Sequence, residues 1–218
     1  IFVADTYSNF ADEKHIDSKE RLEKGLSLKT IIINPMQQGE LSKIALFSTG
    51  DYTWNMDTFD NMQSWHASLL AIIGKERAKS FETIVPYLRY YDAHSPLAQL
   101  INDFKASYEK EGESASIQPI QNELKRIGEA CDVVATMANS ENKSDSLFYA
   151  DLRPWLSKLK AMTVHGDIML SALVNNSQTK IDRVTFAKSW SAIEGMEKHE
   201  DHQFDILTGM GHDIALSV

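Results

Sequence analysis

The apolar residues between Ile117 and Val134 repeat at spacings of three and four, the period of one face of an α-helix. Similar apolar stripes recur along the chain from Asp60 onward, and their members include Met62, Trp65, Tyr108 and Val184. Ser95-Pro96 predicts the start of one of these helices, and Pro86 is expected to kink or break another. Short polar breaks such as Glu111–Ser116 separate the stripes. Short connections favour antiparallel packing of neighbouring helices. The sequence therefore predicts a bundle of about six helices around a shared core. The stripe with the most regular spacing consists of Ile117, Ile120, Leu124, Ile127, Cys131 and Val134.

One earlier stretch follows a different pattern. Thr30–Ile33 is short and largely β-branched, which predicts a buried strand. The strand should end at Asn34-Pro35, because proline cannot continue a strand ladder and holds the preceding residue extended. A helical period begins at Met36, so Asn34 lies where a strand gives way to a helix, an edge at which barrel folds bind ligands. A strand-end asparagine that caps the following helix is the alternative interpretation.

Composition excludes several functional classes. The 218 residues carry a net charge of −9, which argues against nucleic acid and against an anionic membrane surface as partners. The single cysteine, Cys131, excludes an internal disulfide and a cysteine-based zinc site. No apolar run is long enough to predict a membrane span.

Several short motifs follow one another between residues 34 and 65. They are Asn34-Pro35-Met36, Gly39-Glu40, Ser42-Lys43, Asp51-Tyr52-Thr53-Trp54-Asn55 and Trp65. In this order they resemble the end of the catalytic barrel of glycoside hydrolase family 84, which contains the O-GlcNAcases and the hyaluronidase-type β-N-acetylglucosaminidases. The resemblance is dense over about 35 residues, and elsewhere it depends on pattern and length only.

The resemblance implies a mainly α chain in which a short β/α remnant of a TIM-type barrel precedes the helical bundle. We expect residues 1–50 to form the end of the barrel and residues 51–218 the bundle. Because the chain begins abruptly in Ile1-Phe2-Val3, we interpret it as a fragment of a larger protein whose remaining barrel is its partner. Family members suggest a secreted or cell-surface location in a bacterium.

The resemblance also implies a retaining, substrate-assisted β-N-acetylglucosaminidase that acts on terminal β-linked N-acetylglucosamine and uses no metal or other cofactor. Its catalytic residues would be two adjacent aspartates, and this chain contains no Asp-Asp pair, so we assign no catalytic residue to it. By the same resemblance, Asp5 and Asn34 correspond to residues that bind sugar hydroxyls. Carboxylate and amide groups suit hydroxyls, which both donate and accept. A loop or N-cap aspartate is the alternative for Asp5.

Other candidates are weaker. Trp54 is expected in the core, although a tryptophan could stack on a sugar. His199 and His202 are spaced by three, where a zincin helix needs four, and an exposed helix face explains them better. His94 could approach a substrate from a helical-domain loop. As an alternative function, the helical portion would be a binding or interaction module without chemistry of its own.

Overall fold

The computed structural model describes residues 2–5, 31–36, 38–54, 56–88, 95–174 and 183–194. Within these ranges the chain is mainly α-helical, as predicted, with two short strands ahead of the helices. None of the described helices combines the length and the apolar composition that crossing a bilayer requires.

The strands β1 (Phe2–Asp5) and β2 (Ile31–Asn34) pair in parallel, with Asp5 opposite Asn34. Proline follows β2 directly and ends it, as predicted, because Pro35 has no N–H for the ladder. Parallel strands need a crossover connection, which the 25 residues between β1 and β2 are long enough to contain. The carboxyl ends of both strands therefore coincide at the Asp5–Asn34 pair.

Seven α-helices follow β2 in the described residues. They are α1 (Gly39–Trp54), α2 (Asn61–Ile73), α3 (Lys75–Leu88), α4 (Pro96–Glu111), α5 (Gln118–Ala135), α6 (Lys143–Val174) and α7 (Arg183–Glu194). Three 3₁₀ turns connect some of them: Met56–Thr58, Gly112–Ser114 and Thr136–Asn139.

The helix ends have local causes. Asp60 accepts the N–H of Gln63 and begins α2, and Ser95 accepts the N–H of Ala98 and begins α4, as predicted from Ser95-Pro96. Gly74 ends α2 at a φ of 79°, a conformation that favours glycine. Pro86 does not break its helix, because α3 continues for two residues beyond it.

The regular stripe on α5 is buried as predicted: Ile120, Leu124, Ile127, Cys131 and Val134 are all nearly inaccessible to solvent. The prediction was wrong for three other apolar residues, Met62, Tyr108 and Val184, which are exposed. Their helices form as expected, so the spacing identified the helices correctly but not which apolar positions are covered.

Two compact units divide the chain: Ile1–Val85 with Val133–Arg153, and Pro86–Asp132 with Pro154–Val218. In the first unit, Phe81 and Phe148 pack edge to face. Asp145 there accepts hydrogen bonds from Arg77 and Ser140. The domain boundary expected at residue 50 stays a prediction, and α1 runs through that position.

Candidate functional site

The two residues predicted to contact sugar lie at the same level of the two-stranded sheet. Asp5 and Asn34 are register partners, and each is the last residue of its strand. In β/α barrels the carboxyl ends of the strands form the face at which ligands bind. The backbone thus brings together two positions that are 29 residues apart in the sequence.

Asn34 does not occupy the capping position of the next helix. Helix α1 begins at Gly39, so its N-cap position belongs to Gln38, four residues after Asn34. The side chain of Asn34 is exposed at the strand end. Asn34 therefore does not stand at the N-cap position of α1.

The segment between β2 and α1, which we call the β2–α1 turn, is described at Pro35, Met36 and Gln38. Ser42, in the first turn of α1, organises it with a fully buried side chain. Its Oγ accepts the N–H of Met36 at 2.9 Å and donates to the carbonyl oxygen of Gln38 at 2.9 Å. Gln38 is 8% exposed, and its Nε2 donates to no acceptor among the described residues.

Two residues of α6 reach the start of α1. Asp151 Oδ2 accepts the N–H of Glu40 at 2.8 Å, and Ser144 Oγ donates to the Glu40 carboxylate at 3.1 Å. Lys43 forms an ion pair with the same carboxylate. The first turn of α1 is therefore connected to α6 through Glu40 and Lys43, and to the β2–α1 turn through Ser42.

Trp54 does not belong to this site or to the core. It is 92% exposed, which contradicts the expectation that it packs inside. Trp54 ends α1, and a helix of that length places its last residue about 22 Å from its first turn. The other motif tryptophan, Trp65, is buried on α2, as its stripe predicted.

Other titratable groups have structural roles. Glu123 accepts from the buried Tyr87 and, at 2.6 and 2.8 Å, from Arg126. Burial opposes ionisation of Glu123, but the hydrogen bonds from Arg126 and Tyr87 outweigh it and lower the pKa of this carboxyl. Burial raises the pKa of the Cys131 thiol to about 12, so this cysteine is inert as a nucleophile near neutral pH.

In the described residues no three His, Cys, Asp or Glu side chains approach closely enough to hold a metal ion. His94, His199, His202 and the charged segment 11–28 lie outside the described residues. The predictions that concern them stay predictions.

The roles of Asp151 and Ser144 at α1 could not be found from the sequence. Both lie within a long helical pattern, more than 100 residues from Glu40, and neither stands in a recognisable local motif. By contrast, Ser42 and Glu40 were singled out as motif residues, but their spacing did not show which backbone groups they bind.

Comparison with known proteins confirms the resemblance seen in the sequence. The family model of beta-N-acetylglucosaminidase matches residues 8–86. Two solved structures share the fold: the protein described as CpGH84B (TM-score 0.63, 18% identity, 92% of this chain covered) and a mutant of the Thermobaculum terrenum O-GlcNAc hydrolase (TM-score 0.59, 16% identity, 86% covered). The chain spans 35% and 39% of the length of those two chains.

Proposed function

We propose that this chain is part of a retaining, substrate-assisted β-N-acetylglucosaminidase, and that it supplies part of the sugar pocket together with a supporting helical region. The observation that carries the proposal is the register pair Asp5–Asn34 at the carboxyl ends of two parallel strands. One member of the pair, Asn34, lies within the segment that matches the β-N-acetylglucosaminidase family model.

The chemistry of the pair suits hydroxyl recognition. A carboxylate accepts from two hydroxyls, and an amide both donates and accepts, so Asp5 and Asn34 together offer complementary groups to a sugar. In substrate-assisted hydrolysis, the oxygen of the 2-acetamido group attacks C1 while a separate acid protonates the leaving group. Without an Asp-Asp pair in its sequence, the chain would bind and orient the sugar, and the reacting acids would come from the rest of the enzyme.

The decisive experiment is Asn34→Ala in the complete enzyme of which we propose this chain to be a part. A lost amide–hydroxyl contact should lower kcat/KM for an aryl β-N-acetylglucosaminide by about tenfold or more. Asn34→Asp should retain part of the activity, because a carboxylate still accepts from the hydroxyl.

A matched control is Asn122→Ala, which removes an exposed asparagine of α5 that bonds only Gln118 among the contacts described. Its kcat/KM should stay within about twofold of wild type, since the substitution is on the surface. If Asn34→Ala and Asn122→Ala behaved alike, Asn34 would have no part in substrate binding.

A complementary experiment uses the 218-residue chain alone. It should not hydrolyse the aryl substrate above a mock preparation, because it lacks the adjacent acids. Turnover by the purified chain would contradict the proposal that the reacting acids come from the rest of the enzyme.

A further inference from the structure

We propose that Asp151 is a positioning residue for Asn34, which it aligns through the start of α1 without touching the sugar. The inference depends on the function proposed above, since it concerns the placement of the same strand-end asparagine. Asp151, Glu40 and Asn34 all belong to the first compact unit, so the contacts involved lie within one body.

The first link joins α6 to α1. Asp151 Oδ2 accepts the N–H of Glu40 at 2.8 Å, across 111 residues of sequence. Glu40 is the second residue of α1, where backbone N–H groups have no partner within the helix. A carboxylate at this position pairs with one of these N–H groups and complements the positive end of the helix dipole. Asp151 therefore caps α1 from another helix.

A second link fixes the direction of the first turn. Ser144 is seven residues before Asp151 on α6, so both residues lie on one face of that helix. Ser144 Oγ donates to the Glu40 carboxylate at 3.1 Å, and Lys43 Nζ donates to Ser144 Oγ at 3.3 Å. Two residues of α6, about two turns apart on that helix, thus contact the first turn of α1: one at the N–H of Glu40 and the other at its carboxylate.

The third link transmits this placement to the strand end. Ser42 Oγ binds the N–H of Met36, two residues after Asn34. Pro35 lies between them, and its ring fixes one of the two backbone torsions of that residue. A shift of the first turn of α1 would therefore displace Asn34, and misplacement by about 1 Å at a substrate contact is enough to cost activity.

The link itself can be tested on the 218-residue chain by amide hydrogen exchange. Asp151→Ala should accelerate exchange of the Glu40 amide by about tenfold or more, because its acceptor is lost. Asp151→Asn should stay within about threefold of wild type, since the amide oxygen still accepts the N–H. Asp167→Ala is the control: this carboxylate is also on α6 but binds Gln121 and not α1. Unchanged protection of Glu40 in Asp151→Ala would overturn the proposal.

Action through Asn34 requires a double-mutant cycle in the complete enzyme. We expect Asp151→Ala alone to lower kcat/KM by about three- to tenfold, and to add less than about 1.5-fold when Asn34 is already Ala. Asp151→Asn should retain most of the wild-type kcat/KM. If Asp151 mattered only for stability, the fold-losses of kcat/KM caused by Asp151→Ala and Asn34→Ala would multiply in the double variant.

The outcomes separate the two proposals. Multiplicative effects of Asp151→Ala and Asn34→Ala, or no effect of Asp151→Ala where Asn34→Ala is damaging, would overturn the positioning role and leave the proposed function standing. If Asn34→Ala itself had no effect on kcat/KM, the sugar-binding assignment would be wrong, and the positioning role would fall with it.

Discussion

Helices α5 and α1 both bury an apolar face, but they differ in what they present on the opposite side. The outer face of α5 carries charged residues such as Lys125 and Glu129. The outer face of α1 carries Leu46, Phe47 and Trp54, all exposed. In the described part of the chain, the strongly apolar surface of α5 is therefore buried, whereas α1 is buried on one side and exposes apolar side chains on the other. Helical spacing alone does not distinguish these two cases.

The largest predicted effect concerns the buried face of α5. Leu124→Ala should lower the free energy of unfolding by about 2–5 kcal/mol, because it leaves a cavity where a 2%-exposed side chain stood. Urea unfolding followed by far-ultraviolet circular dichroism measures the loss. The matched substitution on α1 is Leu46→Ala, at a 37%-exposed leucine, and should cost less than about 1 kcal/mol. Equal losses in the two variants would remove the contrast between the helices.

The polar side of α5 provides the next test, because Glu123 satisfies the buried Tyr87 hydroxyl and pairs with Arg126. Glu123→Ala should cost about 1–3 kcal/mol, because it leaves the buried hydroxyl of Tyr87 without its acceptor. The control is Glu129→Ala on the same helix. Its side chain is 67% exposed and, among the described contacts, has a long ion pair with Lys125 alone, so the substitution should change stability by less than about 0.5 kcal/mol. A similar loss in both variants would mean that the Glu123 network contributes nothing beyond an ordinary surface charge.

The same carboxyl predicts a pH dependence. The pKa of the Glu123 carboxyl is lower in the folded chain than its ordinary value of 4.5. The contribution of Glu123 to the free energy of unfolding is therefore fully present above pH 4.5. The contribution is lost as the pH falls through the lowered pKa, where the folded carboxyl takes up a proton. The difference in unfolding free energy between wild type and Glu123→Ala should therefore be constant above pH 4.5 and shrink as the pH falls below it. A difference that grew on acidification would contradict the assigned direction of the pKa shift.

On α1, the buried polar group with the clearest role is Ser42. Ser42→Ala should cost about 1–2 kcal/mol, because it leaves the N–H of Met36 without its acceptor. Ser157→Ala, at an exposed serine of α6, should be neutral or slightly stabilising, since alanine favours the helix. Thermal unfolding of the two variants compares them directly, and a neutral Ser42→Ala would show that Ser42 does not hold the β2–α1 turn.

The smallest effect is expected at Trp54. Trp54→Ala should change the unfolding free energy of the chain by less than about 0.5 kcal/mol, because the side chain is almost fully exposed. Trp65→Ala, at the buried motif tryptophan of α2, is the comparison and should cost about 3–5 kcal/mol. A large loss in Trp54→Ala would mean that the outer face of α1 is covered in the folded chain after all.

Much of the fold could be predicted from local pattern. The strand around Ile31–Ile33, its end at Pro35 and the start of α4 at Ser95-Pro96 all depend on residues close together in sequence. The candidate site was predictable in part, because the family resemblance pointed to Asp5 and Asn34. The resemblance did not specify their pairing across the sheet, which depends on a long-range strand register. Whether the pair binds sugar stays a prediction.

The sequence by itself determined which segments are helical, where the second strand ends and which short motifs follow it, because propensity, capping and proline act over a few residues. Only the tertiary structure decided that Asp151 meets Glu40, that Asp5 faces Asn34 in register, and that Trp54 stays outside. These outcomes depend on which surfaces meet across long stretches of chain. The residues around an apolar stripe or an isolated carboxylate do not indicate which distant residue it contacts. Local sequence patterns therefore could not predict these three features.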